Sequence, residues 1–89
     1  MAAEQSAIYS KEGTATGSAV ALETTHNGKY DHWQFYNTHA SQDLVLTING
    51  SNDITIDADS TQAVDITASP NDVTVKTNNT TYRILATGK

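Results

Sequence analysis

The chain consists of short stretches in which apolar and polar residues alternate. In residues 44–49, Leu44, Leu46 and Ile48 point one way and the residues between them point the other way. A period of two is typical of a β-strand that has one face on a hydrophobic core and the other in water. We therefore predict seven or eight strands. Besides residues 44–49, they lie around Ile8 and Tyr9, around Val20 and Leu22, and at residues 32–36, 54–57, 64–67, 73–76 and 82–87.

The segments between these strands are short and rich in turn-forming residues. Residues 49–53 contain Asn49 and Gly50, which accept the positive φ of a tight hairpin, and residues 76–80 predict a second hairpin. No window has the i, i+3, i+4, i+7 apolar pattern of an amphipathic helix. The chain is therefore predicted to be all-β, a small antiparallel β-sandwich or jelly-roll-like barrel.

The length and composition favour one domain with a thin core. The chain has 89 residues, of which 37% are hydrophobic. Residues 1–12 are mostly small and polar, so we predict an N-terminal arm over 1–12 and a single β-sandwich domain over 13–89. The arm could be disordered or could contact a neighbouring subunit. Because cysteine is absent, no disulfide can stabilise so small a core, which favours an oligomer or docking on a larger body.

Charge and hydropathy argue against nucleic-acid and membrane partners. Ten acidic and five basic residues give a net charge of -5, and the basic residues are scattered along the chain. Nucleic-acid binding depends mainly on Lys and Arg that neutralise phosphates. No run approaches the ~20 apolar residues of a membrane span, and the first residues do not resemble a signal peptide. We expect a protein that is made soluble and is not sent through a secretory pathway by itself.

Three histidines near the centre of the chain are the first candidates for chemistry. Two of His26, His32 and His39 could join Asp31 to bind a divalent metal or to act as a general base and its orienting partner. Their spacing matches no metal motif, so we expect histidines in loops or on the surface without a ligand.

An acidic stretch offers a second possible metal site. Its oxygen ligands could bind Ca²⁺, but the order of the residues is not that of an EF-hand, so a solvated negative face is the preferred interpretation. No serine nucleophile motif or glycine-rich phosphate loop is present. We therefore predict no enzymatic activity, no metal and no cofactor. The residues of this stretch are Asn52, Asp53, Asp57 and Asp59.

The aromatic residues divide into core and interface candidates. Alternation places Trp33 and Phe35 on one face of a strand, which predicts the centre of the core, and Tyr36 on the opposite face. Aromatic side chains are favoured at protein interfaces and in sugar-binding sites. The predicted interface residues are Ile8, Tyr9, Tyr30 and Tyr36.

Part of the chain resembles a family of virion proteins. The residues that carry the resemblance are 35–38, the strand and turn 43–50, the strand 54–56 and the closing segment 81–88 with its Y-x-I-x-A strand. This arrangement resembles the small β-sandwich accessory proteins of tailed bacteriophage virions, and it covers residues 33–88 as a pattern of strands and turns.

The resemblance implies a structural virion protein without a substrate. The first expectation is a capsid decoration or cement protein on the outer shell, whose partners are the major capsid protein and other copies of itself in a dimer or trimer. A tail, neck or fibre component is an alternative within the virion. The alternative from another class is a carbohydrate- or receptor-binding module that grips a glycan with residues 30–36 and the loops of His26 and His39.

Overall fold

The computed structural model describes residues 8–76 and 78–88, and these residues form two antiparallel four-stranded sheets. A short 3₁₀ turn, Pro70–Asp72, is the helical segment among them, and it is far too short to cross a membrane. The structure confirms the all-β prediction, and the two sheets are those of a small β-sandwich. The strands are β1 Ile8–Thr16, β2 Val20–Ala21, β3 His32–Asn37, β4 Leu44–Ile48, β5 Ile54–Ile56, β6 Thr61–Val64, β7 Val73–Val75 and β8 Asn78–Thr87.

Most strands that are consecutive in the sequence lie in different sheets. Sheet 1 has the order β1-β8-β3-β6, and sheet 2 has the order β2-β7-β4-β5. Only β4 and β5 are joined as a hairpin among the described strands. Asn49 and Gly50 adopt φ values of 53° and 73° in that turn, as the sequence predicts.

The core lies between the inner faces of the two sheets. The rings of Trp33 and Phe35 are fully buried and stack with their centroids 5.7 Å apart, which confirms their predicted place in the core. Strands β3, β4, β7 and β8 contribute alternate residues to it, because successive side chains of a strand point to opposite faces. Other buried residues are Leu44, Leu46 and Ile48 of β4, Ile56 of β5, Val73 and Val75 of β7, and Ile84 and Ala86 of β8.

Two local predictions were wrong. The predicted hairpin at residues 76–80 instead leads from β7 in sheet 2 to β8 in sheet 1. β7 pairs with β2 and β4, whereas β8 pairs with β1 and β3, so the two strands do not pair with each other. The strand predicted at 64–67 ends at Val64, and Ile66 is exposed. Beyond Val64 the chain leaves the ladder until Tyr30 and Ala68 exchange two backbone hydrogen bonds of 2.9 Å, which buries Ala68 instead.

The boundary of the predicted arm is corrected by β1. Residues 8–12 belong to this strand, which pairs with β8 from Ile8 opposite Thr87 to Thr14 opposite Thr81. Although the segment is polar, it joins the sheet because the long strand β8 offers backbone hydrogen-bonding groups along its edge. Tyr9 and Ala15 of β1 are also buried in the core. The remaining part of the predicted arm, residues 1–7, lies outside the described residues.

Candidate functional site

Tyr9 and Tyr30, two of the four predicted interface residues, are buried in the core. The ring of Tyr9 lies 5.8 Å from that of Tyr30 and 6.2 Å from that of Trp33, measured between centroids. The ring of His26 meets Tyr9 edge-on at 5.1 Å, and its Nε2 forms a 2.9 Å hydrogen bond with the Tyr30 hydroxyl. The expectation that these tyrosines are exposed contact residues was therefore wrong, because this cluster closes one end of the sandwich.

A polar group next to this cluster attaches β1 to the segment that follows β2. The Tyr9 hydroxyl donates a 2.9 Å hydrogen bond to Glu23 Oε2. Lys11 Nζ donates to the same oxygen at 3.2 Å and to the Leu22 carbonyl oxygen at 2.9 Å. Burial, together with the hydrogen bond to the Glu23 carboxylate, raises the pKa of Tyr9 well above its usual range. The hydrogen bond from Tyr9, followed by that from Lys11, lowers the pKa of Glu23.

The stability of the fold is expected to decrease at alkaline pH because of Tyr9. Its folded-state pKa is raised above the unfolded value of about 10, so its stabilising contribution is complete below pH ~10 and is lost as the pH rises toward the folded value. Burial raises the pKa of Tyr82 in the same direction. Urea unfolding measured from pH 8 to pH 11 should therefore show a steep loss above pH ~10. Tyr9→Phe should reduce this slope, whereas an unchanged slope would contradict the role of Tyr9.

The structure does not bring the three histidines together. His26 contacts the tyrosines at one end of the sandwich, and His32 Nδ1 pairs with the Asp65 carboxylate. His39 Nδ1 accepts hydrogen bonds from the backbone N–H groups of Ser41 and Gln42 at 3.0 and 3.1 Å, so it organises its own loop.

The acidic candidates also have separate partners. Asp31 Oδ1 accepts a 2.9 Å hydrogen bond from the Thr67 hydroxyl, and Asp53 Oδ1 accepts one of 2.7 Å from Lys76 Nζ. Within residues 8–76 and 78–88, no three side chains of the His, Cys, Asp or Glu type form a group that could hold a metal ion. The described residues therefore provide no candidate metal centre.

The glycan site expected around residues 30–36 does not assemble either. The ring of Tyr30 is buried and cannot serve as an exposed stacking platform. His26 lies beside that ring, while the loop of His39 is beyond the other end of β3 and accepts a backbone hydrogen bond from Asp59. The groups that were expected to grip one sugar are thus divided between two ends of the molecule.

The outer face of sheet 1 brings the other two interface candidates together. Ile8 stands opposite Thr87 and is 67% exposed, and Tyr36 stands opposite Arg83 and is partly buried. Leu85, 40% exposed, lies on β8 between these two pairs and is the diagonal neighbour of both Ile8 and Tyr36. Diagonal neighbours are ~7–8 Å apart and can contact each other when their side chains are long. We call Ile8, Leu85 and Tyr36 the apolar stripe.

Sequence reasoning missed the contribution of Leu85. Alternation places Leu85 on the outward side of β8, between the polar residues Arg83 and Thr87. A leucine at a position that the pattern assigns to solvent was the available signal. Leu85 lies next to Ile8 and Tyr36 only because β8 pairs with β1 and β3, and this pairing cannot be inferred from the sequence of any one strand.

Charged side chains beside the stripe are paired. Arg83 Nε donates to Glu12 Oε2 at 3.2 Å, and His32 pairs with Asp65. The residues paired across the sheet at the level of Leu85 are uncharged: Ser10 and Gln34 lie on either side of Leu85, and Ala63 lies beyond Gln34. A partner could therefore cover the stripe without burying an unpaired charge.

Searches against protein-family models, curated proteins and solved structures each return no significant match. The functional argument therefore rests on the residues of this chain and on their arrangement.

Proposed function

We propose that this protein is a structural subunit that docks on a larger protein shell through the apolar stripe. The observation that carries the proposal is the diagonal arrangement of Ile8, Leu85 and Tyr36 on an exposed sheet face. Three adjoining apolar side chains can be covered together by one partner, whereas scattered exposed residues are common on any surface.

The shell that we propose is the capsid of a tailed bacteriophage. The support for this choice is the resemblance of residues 33–88 to virion accessory proteins, in which a strand pair, a polar turn and a closing strand follow the same order. The partners would be the major capsid protein and other copies of this chain, on the outer surface of the virion. A tail, neck or fibre position is the alternative within the same class.

The mechanism is the addition of many modest contacts. A subunit that covers about 800 Å² of its host makes a contact of standard size. Many copies across the junctions between capsomers would together raise the force needed to separate them, because each junction must lose several contacts at once. No catalytic step is required for this role.

Co-sedimentation with undecorated phage shells tests the proposal. The purified protein, whose mass in solution is first determined by light scattering, is expected to saturate the shells at a symmetric stoichiometry. The double substitution Ile8→Thr and Leu85→Thr should weaken this binding at least about tenfold, because it removes apolar area from the contact while placing threonine, which suits β-strands, at both positions.

Val20→Thr is the matched control. Val20 is 53% exposed, but it belongs to β2 at the edge of sheet 2 and lies away from the stripe. The control should bind like the wild type. If the double variant also binds like the wild type, the stripe is not the contact surface. If the wild type does not sediment with shells, the proposed function itself is refuted.

A further inference from the structure

A cleft of about 410 Å³ lies beside the outer face of sheet 1, where β1, β8 and the end of β3 meet. Its volume is within the range of small-molecule sites, roughly 300–1,000 Å³. It adjoins the apolar stripe, because Arg83 stands opposite Tyr36, but none of the three stripe residues lines it. The residues that line it are Glu12, Gly13, Thr14, Thr38, Thr81, Tyr82 and Arg83.

Threonine hydroxyls form one side of the cleft. Thr14 and Thr81 are directly opposite each other on β1 and β8. The Thr38 hydroxyl donates a 2.7 Å hydrogen bond to the Thr81 hydroxyl, and the Thr38 backbone N–H donates to the Thr81 carbonyl oxygen at 3.1 Å. A hydroxyl has one proton and two acceptor lone pairs, so this pair still offers a donor at Thr81 and acceptor capacity at both oxygens. This side of the cleft can therefore donate a hydrogen bond to a ligand and accept hydrogen bonds from it through adjacent hydroxyl groups.

The charged side of the cleft has no net charge. Arg83 Nε donates to Glu12 Oε2 at 3.2 Å, and both side chains are more than half exposed. This contact uses one guanidinium N–H and one carboxylate oxygen, so paired donors and a second carboxylate oxygen remain for a ligand. Within the cleft, Glu12 disfavours an anion and Arg83 disfavours a cation, so this ion pair selects neither sign of charge. The electrostatics therefore favour a neutral, polar ligand.

Gly13 stands opposite Tyr82 and makes room for its ring on the inner face of sheet 1. A Cβ at this position would lie 2.7 Å from the Tyr82 hydroxyl oxygen and 3.0 Å from its Cζ. The absence of a side chain thus leaves the space that the Tyr82 phenol occupies beside β1. The cleft therefore presents hydroxyls and planar charged groups on the outer face, while the Tyr82 phenol is buried on the inner face of the same sheet.

We propose that this cleft binds a neutral saccharide. Adjacent sugar hydroxyls act as donors and acceptors at once, and they match the Glu12 and Arg83 pair on one side and the hydroxyls of Thr14, Thr38 and Thr81 on the other. This binding activity does not depend on shell docking, since the two surfaces have no residue in common.

A glycan array followed by an NMR titration tests the inference on the full chain. The array presents neutral, sialylated and sulfated oligosaccharides, and we expect binding to neutral members. The best neutral member, titrated into ¹⁵N-labelled protein, should shift the amide signals of Gly13, Thr14, Thr81 and Arg83, with a Kd of about the millimolar range.

Thr81→Val removes one hydroxyl at nearly constant shape and should weaken saccharide binding about threefold to tenfold. Thr55→Val is the control, because Thr55 is an exposed threonine on β5 of sheet 2. The NMR spectrum of each variant reports whether it is folded. The inference is overturned if no neutral oligosaccharide binds, if only charged ones bind, or if Thr81→Val binds like Thr55→Val.

These outcomes are independent of the test for docking. The Ile8→Thr and Leu85→Thr double variant should retain saccharide binding, and Thr81→Val should retain shell binding. A failure of one proposal therefore leaves the other open to its own measurement.

Discussion

Replacing Asn37 by alanine is expected to lower the free energy of unfolding by about 3 kcal/mol or more. Asn37 is a fully buried polar residue at the end of β3. Its Nδ2 shares two protons among the carbonyl oxygens of Gln42, Ile56 and Asp57 at 2.7, 3.0 and 3.2 Å, and its Oδ1 accepts from the His39 N–H at 3.0 Å. One side chain thus connects sheet 1 to the end of β5 and to the loop before β4. Without this side chain, the three carbonyl oxygens and the His39 N–H lose a hydrogen-bond partner at a site that is largely shielded from water.

The variant Asn37→Asp separates the hydrogen bonds from packing. Aspartate has nearly the same shape, but its carboxylate cannot donate to three carbonyl oxygens and would face them with a negative charge. We expect this variant to be at least as unstable as Asn37→Ala at neutral pH. Asn27→Asp makes the same chemical change at an exposed position and should leave stability nearly unchanged. Urea unfolding followed by tryptophan fluorescence measures all three, and equal stability of the two aspartate variants would contradict the role of Asn37.

Trp33→Ala should cost about 3–5 kcal/mol, a large part of the 5–15 kcal/mol that stabilises a typical domain. Trp33 is fully buried, stacks on Phe35 at 5.7 Å and meets Tyr30 edge-on at 6.1 Å. Its Nε1 donates a 3.2 Å hydrogen bond to the Tyr30 carbonyl oxygen. Alanine would leave a cavity at the centre of a thin core, where few neighbouring side chains can move to fill it.

Two controls accompany this variant. Trp33→Phe keeps an aromatic ring but loses the hydrogen bond and part of the volume, so its loss of stability should be clearly smaller. Leu85→Ala removes an apolar side chain from the exposed stripe and should have little effect on stability. Because Trp33 is the only tryptophan, thermal unfolding is followed by circular dichroism. A Trp33→Ala variant as stable as Leu85→Ala would contradict the proposed centre of the core.

The candidate surface was predictable in part. The sequence indicated Ile8 and Tyr36 as interface residues, and the structure places both on the outer face of sheet 1. Tyr9 and Tyr30 were assigned to the same role from their residue type. The burial of Tyr9 depends on His26 and Trp33, which are far from it in sequence, and Tyr30 precedes β3, where strand alternation does not apply. The cleft at Thr14, Thr38 and Thr81 has no counterpart in the sequence analysis, because three separate segments form it.

The alternation of residues determined, by itself, which side chains of most strands face the core. It correctly placed Trp33 and Phe35 inside and predicted the hairpin at Asn49 and Gly50, because strand periodicity and tight turns depend on residues adjacent in the chain. Strand partners depend on backbone groups far apart in sequence, and backbone groups are the same in every residue but proline. The tertiary structure alone therefore decided that β7 and β8 enter different sheets and that β1 joins β8. The same pairing assembles the apolar stripe and the cleft.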